Sequence, residues 1–206
     1  MMHHFRGLPR SKCRLLQFAV VACMTWLGVP LVVAADLSHE MGKIKANGLA
    51  EVSGIAASRT NPSVLWLHND GSSGQLFALS TTGKLVAILQ CDAAIADLED
   101  IAIGPGTQPG VDYVYLGDIG DNAVRRSEVR VVRFVEPKLS GERGQQLKVG
   151  DAEVLRLVYP DGPHDAEALL IDPITGDLLI VTKEKQGARL YGARGKSLTP
   201  SAKTTL

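Results

Sequence analysis

Short apolar runs separated by polar and turn-forming residues recur along most of this chain. They fall into three groups of similar order, and each group opens with a glutamate at the head of its first run. Runs of this length, at about one per ten residues, predict β-strands rather than helices. The first runs are Glu51–Ser58, Glu99–Pro105 and Glu167–Pro173; the second are Val64–Asp70, Tyr113–Asp118 and Asp177–Glu184; the third are Gln75–Leu79, Glu128–Phe134 and Ala188–Tyr191.

The three groups predict an all-β repeat protein. Fourth strands are expected at Lys84–Gln90 and Asp151–Tyr159, while the third group has none, because residues 196–206 are polar. A polar insertion, Pro137–Gln146, has the composition of a loop and lengthens the second group. Four-stranded units repeated at about 40 to 50 residues are typical of the blades of a β-propeller. The blades are predicted at about 49–91, 97–159 and 165–206, within a domain of residues 36–206.

Three blades are fewer than the four to eight that close a propeller. An array that does not close leaves strand edges open to pairing. We therefore expect either that the chain is part of a protein with further blades or that it pairs with a second copy of itself.

The first 35 residues have the pattern of a secretory signal peptide. Basic residues precede an apolar stretch over residues 15–35, which ends in the small residues Val33–Ala35 before Asp36. We predict a helix over residues 15–34 and cleavage before Asp36, with export to a bacterial periplasm, envelope or medium. An uncleaved membrane anchor and lipidation at Cys23 are the alternatives.

The net charge and the cysteine content limit the kinds of binding partner and covalent cross-link that are expected. Residues 1–35 contain four basic and no acidic residues, so the remainder carries 18 basic and 22 acidic residues, a net charge of −4. A nucleic-acid partner is not expected, since phosphate neutralisation needs a basic surface. Only Cys91 remains after the leader, so no internal disulfide can form, and a buried thiol is expected. One basic cluster is expected to be solvated on a hairpin: Arg125, Arg126, Arg130 and Arg133.

The three leading glutamates are the first candidates for a site. If Glu51, Glu99 and Glu167 occupy the same position in successive blades, their carboxylates gather around one end of the central axis. Gathered carboxylates repel each other, and a divalent cation or backbone N–H groups would stabilise them. Calcium suits oxygen ligands in flexible geometry and is the expected ion, while purely structural bridging between blades is the alternative.

The ends of the second runs supply further candidates. The segment Gly117–Asn122 contains Asp118 between two glycines and Asp121 directly after the second, and both carboxylates are predicted metal ligands. Alignment of the runs places Asn69, Asp118 and Lys183 in equivalent positions, so Asn69 and Lys183 are predicted to bind substrate. Turn chemistry is the alternative for these polar residues. Other polar residues flank the candidates: Asp70, Asp97, Asp100, His164 and Asp165.

Several common types of site are not indicated by the sequence. It has no Gly-x-Ser-x-Gly motif, no zinc-type cysteine spacing and no glycine-rich phosphate loop. His68 and His164 are candidates for general acid or base, although hydrogen-bonded structural histidines are the expected outcome. No catalytic residue is therefore assigned from the sequence.

Four segments together resemble exported bacterial propeller proteins of the phytase-like or esterase-like group. The resemblance covers most of residues 49–192 and implies a calcium-binding channel that hydrolyses phosphomonoesters or other esters. A phytase-type site would also contain clustered Lys and Arg, of which Lys183 is the one well-placed example. The segments are Glu51–Ala56, Leu98–Ala102, Gly117–Asn122 and His164–Leu169.

Three functions follow from the sequence. The first is calcium-dependent hydrolysis of a small-molecule ester or phosphoester, with Glu51, Glu99, Asp118, Asp121 and Glu167 holding the ion. The second is a non-catalytic propeller that binds a protein or glycan, since this architecture supports many unrelated functions. The third is a sugar lactonase with a divalent metal, although the tryptophan-bearing motif of that family is absent after Glu51.

Overall fold

Thirteen β-strands carry the fold in the computed structural model, which describes residues 40–206. The described residues contain one short 3₁₀ turn, Gly195–Ser197, and no α-helix, so the all-β prediction is confirmed. The predicted signal helix over residues 15–34 lies outside the described residues. The strands are β1 (Val52–Ala57), β2 (Val64–Asn69), β3 (Gln75–Ser80), β4 (Leu85–Gln90), β5 (Leu98–Pro105), β6 (Asp112–Asp118), β7 (Val129–Val135), β8 (Gln145–Lys148), β9 (Glu153–Val158), β10 (Ala166–Ile171), β11 (Leu178–Thr182), β12 (Leu190–Ala193) and β13 (Lys203–Thr205).

The strands form three separate sheets that follow the three groups of the sequence. The first sheet has the order β1-β2-β3-β4-β8, the second β5-β6-β7-β9-β13 and the third β10-β11-β12. Successive strands pair antiparallel within each sheet, apart from β8 and β13. All eleven predicted strands are present, and the described part of the third sheet has no fourth strand, as expected. Among residues 40–206 the three sheets form an open array.

Two strands were missed by the sequence analysis. β8 begins inside the predicted loop 137–146 and pairs in parallel with β4, although it follows β7 of the second sheet. β13 lies in the polar segment 196–206 and pairs in parallel with β9, although it follows β12 of the third sheet. Each later unit therefore adds one strand to the outer edge of the preceding sheet. The prediction of four-stranded units was wrong for this reason, because the first two sheets have five strands each.

Packing between neighbouring sheets buries both faces of the middle sheet. One apolar cluster joins the first and second sheets and includes Trp66, Leu76, Leu116 and Phe134. Another joins the second and third sheets and includes Tyr115, Val131, Leu169 and Ile180. Apolar side chains on alternate residues of a strand point to opposite faces, which is how one sheet serves two interfaces. Burial of this apolar area is the main force that holds the sheets together.

The first strands of the three sheets lie side by side. β5 contacts β1 on one side and β10 on the other. The Ser53 hydroxyl donates a hydrogen bond to the carbonyl of Glu99 over 2.8 Å, and the Leu169 N–H donates to Asp100 Oδ2 over 2.7 Å. These two bonds fix the beginnings of β1, β5 and β10 against each other. The polar residues around these beginnings form the candidate site.

Candidate functional site

A β-bulge places the second and third glutamates in equivalent positions. Leu98 pairs with Asp118 and Asp100 pairs with Gly117, which leaves Glu99 as the extra residue of β5. The pairs made by Ala166 and Ala168 leave Glu167 as the extra residue of β10 in the same way. Bulges of this kind redirect a side chain at the end of a ladder. Glu99 and Glu167 therefore correspond, as the sequence predicted.

The predicted equivalence of Glu51 was wrong by two positions. In β1, Val52 pairs with Asn69 and Ile55 pairs with Leu67, so the irregularity falls at Ser53 and Gly54. Glu51 precedes the first paired residue, whereas Glu99 follows it. Its side chain is exposed, and its carbonyl accepts a hydrogen bond from the Asp70 N–H over 2.8 Å. The predicted arc of three glutamates is reduced to two, with Ser53 at the position next to them.

Glu99 instead joins two aspartates in an acidic cluster. Carboxylate oxygens of Asp70, Asp97 and Glu99 all lie within 4.8 Å of one another. Asp70 is exposed, Asp97 is half-buried and Glu99 is 7% exposed, so the cluster runs from the surface into the protein. Of the five predicted metal ligands, the structure brings only Glu99 into this cluster. We call Asp70, Asp97 and Glu99 the acidic cluster.

Backbone contacts bring the two aspartates to Glu99. Asp70 follows β2, and the next residue, Gly71, accepts a hydrogen bond from the Leu98 N–H over 2.8 Å. Gly71 has φ 101°, a conformation that glycine adopts without strain. Asp97 lies directly before β5, and its N–H donates to Asp118 Oδ1 over 2.9 Å. The end of β2 and the beginning of β5 therefore meet at the acidic cluster.

The carboxylates of the acidic cluster lack hydrogen-bond donors. Among residues 40–206, no side chain or backbone N–H donates to the carboxylate of Asp70, Asp97 or Glu99. Buried polar groups are nearly always hydrogen-bonded, and with no donor from the described residues the Glu99 carboxylate is available to water or to a ligand. Burial, followed by the negative charge of Glu167 and the two aspartates, raises the pKa of Glu99 to about 7. Burial also raises the pKa of Asp97, and Asp70 adds to this effect.

Asp118 and Asp121, both predicted metal ligands, have partners within the protein. Asp118 is fully buried and forms ion pairs with Arg126 over 3.0 Å and Arg130 over 2.8 Å. Asp121 accepts hydrogen bonds from the N–H groups of Arg125 and Arg126 over 2.6 and 2.7 Å. These contacts use the oxygens that a cation would need. Asp118 contributes to the acidic cluster indirectly, by holding the backbone of Asp97.

The arginines that pair with Asp118 were expected to be solvated. Arg126 and Arg130 are instead only partly exposed, and Arg133 is 2% exposed and forms an ion pair with Glu153. The hairpin between β6 and β7 folds back so that these basic residues lie over the end of β6. The order of charges along the sequence does not reveal this contact. Arg126, Arg130 and Arg133 are therefore part of the internal structure, whereas Arg125 is exposed as expected.

The two predicted substrate-binding residues have local partners. Asn69 accepts a hydrogen bond from the Ala50 N–H over 2.9 Å and donates to the Gly48 carbonyl over 2.6 Å. Lys183 forms an ion pair with Glu167 on the surface. Strand register places Thr182, not Lys183, opposite the first residue of β10, so the predicted equivalence of Lys183 with Asn69 and Asp118 is off by one residue. No substrate contact tests either role, which stays a prediction.

The two histidines differ in environment. His68 is fully buried; its Nδ1 lies 2.8 Å from the Asn69 carbonyl, and its Nε2 has no hydrogen-bond partner among the described residues. Burial lowers the pKa of His68. His164 lies between Asp161 and Glu184 at 2.9 and 3.1 Å, in contact with Tyr191. His164 is hydrogen-bonded as expected, whereas only one ring nitrogen of His68 has a partner, and the roles of both residues stay predictions.

The acidic cluster has the composition and spacing of a divalent-cation site. Calcium bonds to oxygen measure about 2.3–2.6 Å, so two oxygens on opposite sides of one ion are about 4.6–5.2 Å apart. One oxygen from each of the three carboxylates lies within 4.8 Å of the others, which is close enough for all three to bind one ion. Gly120 lines the cluster: a Cβ at this residue would overlap Asp97 Oδ2 and Glu99 Oε1. The absence of a side chain at Gly120 keeps the space between these oxygens open.

The sequence analysis noted Asp70 and Asp97 only as neighbours of other candidates. The signal that could have found them is position: Asp70 ends the second run of the first group, and Asp97 precedes the first run of the second group. If the first strands of successive sheets are adjacent, these two positions meet. The contact between these two positions depends on how two sheets pack, and comparison of the runs within one repeat does not reveal it.

Comparison with known proteins does not identify a family for this chain. No protein-family model matches it, and no curated protein matches it significantly. Within residues 40–206, the structure has no helix that is long and apolar enough to cross a membrane.

Proposed function

We propose that this chain is a propeller-type module that binds a divalent cation at the acidic cluster. Three antiparallel sheets in chain order, with β1, β5 and β10 side by side, support the propeller arrangement, in which first strands surround the axis. The acidic cluster lies where β5 begins, at one end of that axis. The main observation in support of the cation site is Glu99, whose side chain is 7% exposed and has no hydrogen-bond donor among the described residues.

Calcium is the cation that this site fits best. Its three protein ligands are all carboxylates, which are hard oxygen ligands, and two of them reach toward solvent, where water can complete the coordination. Asp70, Asp97 and Glu99 would hold the ion, and Asp118 would keep Asp97 in place. A bound calcium would neutralise the mutual repulsion of these carboxylates and offer a Lewis acid to an ester or phosphoester.

Ester hydrolysis is a second proposal, and the pKa of Glu99 favours it. A carboxyl with a pKa of about 7 can accept and release a proton at neutral pH, as a general acid or base must. In this alternative the acidic cluster shares a proton rather than a cation. The non-catalytic binding module and the sugar lactonase remain predictions from the sequence.

Thermal unfolding of the full chain with and without calcium tests the proposed cation site. A cation that binds only the folded state stabilises it by about 2.7 kcal/mol at 100 times its dissociation constant. We expect Gly120→Ala to abolish this shift without changing the charge, because the added methyl group fills the space beside Asp97 and Glu99. Gly150→Ala is the matched control, since a Cβ there meets no atom within 4 Å.

The outcomes separate the two proposals. A calcium-dependent increase in melting temperature that Gly120→Ala removes and Gly150→Ala retains supports the cation site. No increase with calcium, magnesium or manganese at millimolar concentration contradicts it. Turnover of aryl esters and phosphomonoesters that Glu99→Gln eliminates, with and without calcium, would support proton transfer by Glu99.

A further inference from the structure

The three sheets use the same positions to contact the next sheet in the array. Strand register makes Ala56, Ala102 and Leu170 equivalent, because each lies on the first strand opposite Trp66, Tyr115 or Leu179 on the second. We call the face that carries these residues the forward face and the opposite face the rear face. The forward face of the first sheet packs on the second sheet, and that of the second sheet packs on the third.

The forward face of the third sheet is apolar and bare. Trp66, Tyr115 and Val131 on the two covered forward faces are at most 1% exposed. In the third sheet, Leu190, which is equivalent to Val131, is 65% exposed, and Leu170 is 52% exposed. An exposed, continuous apolar patch of this kind marks an interaction site.

The first sheet leaves a complementary surface at the other end of the array. Ile101 and Leu169 occupy the same position on the rear faces of the second and third sheets and are 3% and 6% exposed, because the preceding sheet covers them. Their equivalent in the first sheet, Ile55, is 58% exposed. Leu67, Phe77 and Leu79 on the same rear face are at most 2% exposed, and Ala46 and Leu49 pack against them, so the uncovered part of this face is the part around Ile55.

We propose that the forward face of the third sheet docks against the rear face of the first sheet in a second copy of this chain. Leu170 and Leu190 on one surface and Ile55 on the other are exposed counterparts of residues that are covered at the two interfaces within the chain, so contact around Ile55, where residues 46–49 leave the rear face open, continues an existing mode of packing. Two copies joined in this way at both ends close a ring of six sheets, within the four to eight of known propellers. This inference rests on the propeller arrangement proposed above and is independent of the cation.

The repeated interface specifies which residues should meet. Gly54 lies beside the Ile101 N–H, since a Cβ at Gly54 would be 2.9 Å from that nitrogen. One interface further, Asp100 Oδ2 accepts a hydrogen bond from the Leu169 N–H over 2.7 Å. Gly54, Asp100 and Ala168 are equivalent by register. Ala168 should therefore lie beside Ile55 of the second copy.

A disulfide cross-link tests this contact in the full chain. Mixing Ala168→Cys with Ile55→Cys under mild oxidation should give a covalent dimer on a non-reducing gel. Neither variant alone should give it above the background of the natural cysteines. Ile174→Cys, in the turn after β10 and 89% exposed, replaces Ala168→Cys as the control and should not cross-link to Ile55→Cys.

Light scattering gives an independent measure of association. We expect the full chain at micromolar concentration to have twice the mass of one chain, and Leu190→Glu to convert it to a monomer, whereas Ile174→Glu should not. A monomeric full chain overturns the proposal. A dimer unaffected by Leu190→Glu also overturns it, because association through residues 15–34 or another surface persists in that variant. If the chain binds calcium but stays monomeric, the docking proposal fails and the cation-site proposal stands.

Discussion

Two buried glutamates between the first and second sheets, at opposite ends of the strands, have contrasting environments. Glu136 follows β7, is 3% exposed and bridges the first and second sheets beyond the end of β1. It accepts hydrogen bonds from the Thr60 N–H over 2.9 Å, the Arg59 N–H over 3.1 Å, Trp66 Nε1 over 2.8 Å and the Ser58 hydroxyl. Glu99 lies at the beginning of β5, is 7% exposed and has no donor among the described residues.

The two environments distinguish a structural glutamate, Glu136, from a candidate binding-site glutamate, Glu99. A buried carboxylate is costly unless hydrogen bonds or a counter-charge replace the lost water. Four donors from the protein meet this need at Glu136, which therefore joins two sheets permanently. At Glu99 no described residue meets this need and two more carboxylates are close by, so the compensation must come from water, a ligand in solution or a proton. Burial alone does not distinguish the two residues, but the number of donors does.

The largest effect is expected from Glu136→Ala. It leaves the buried indole N–H of Trp66 and three partly buried donors without an acceptor and removes a contact between two sheets. We expect the free energy of unfolding to fall by about 4 kcal/mol, which lowers the melting temperature by about 10 °C in a chain of this size. Thermal unfolding monitored by circular dichroism measures this change. A decrease no larger than that of Glu142→Ala, a substitution on the exposed loop before β8, would contradict the assignment.

Asp118→Ala should have the next largest effect. It tests the comparison between Glu99 and Glu136, because Asp118 lies close to Glu99 but, like Glu136, has partners within the protein. The substitution leaves Arg126 and Arg130 without their counter-ion and removes the acceptor for the Asp97 N–H. We expect a loss of about 3 kcal/mol, since breaking a buried ion pair leaves uncompensated charge. Urea unfolding measures it. Asp92→Ala, at an exposed residue, is the control and should cost much less.

Glu99 should make the cation-free protein less stable as pH rises. Its pKa of about 7 in the folded chain is above the ordinary value of 4.5, so the fold favours the protonated form. The stabilisation is fully present below pH 4.5 and is lost as pH rises through 7, by at most about 3 kcal/mol. Glu99→Gln should remove this part of the pH dependence and raise the melting temperature at pH 8.

The difference between the wild type and Glu99→Gln isolates this contribution from other groups that titrate. Asp97 has a raised pKa and acts in the same direction, while His68 has a lowered pKa and acts in the opposite direction below about pH 6.5. Melting temperatures measured from pH 5 to 8 in chelator provide the comparison. Parallel curves for the two proteins would show that Glu99 has an ordinary pKa.

The smallest effect is expected from Lys183→Ala. Lys183 pairs with Glu167 on the surface, and its charge also acts on Glu99. Exposed ion pairs contribute little to stability, so the melting temperature should hardly change. Removal of the positive charge should strengthen calcium binding by about two- to five-fold through the local field. Calorimetric titration measures the affinity, and Lys183→Arg, which keeps the charge, should bind as the wild type does.

Much of the fold was predictable from local pattern, while the site was predictable only in part. Eleven of the thirteen strands follow from apolar runs and turn residues, because each run fits one pleated strand. β8 and β13 were missed because they are short and polar and exist through pairing with the edge of another sheet. Glu99 was found because it heads a run, but Asp118 was assigned to metal because its arginine partners lie eight and twelve residues further along the chain.

The sequence by itself determined the strands, their grouping into three units and the concentration of acidic residues where the strands begin. Those features depend on side-chain alternation and turn chemistry, which act over a few residues. Tertiary structure decided which carboxylates meet, because a bulge sets the direction of Glu99 and the contact between sheets brings Asp70 to it. It also decided which acids already have partners, since burial and pairing depend on residues distant in the sequence. Tertiary structure thus decided that Glu136 has donors within the protein and that Glu99 has none among the described residues.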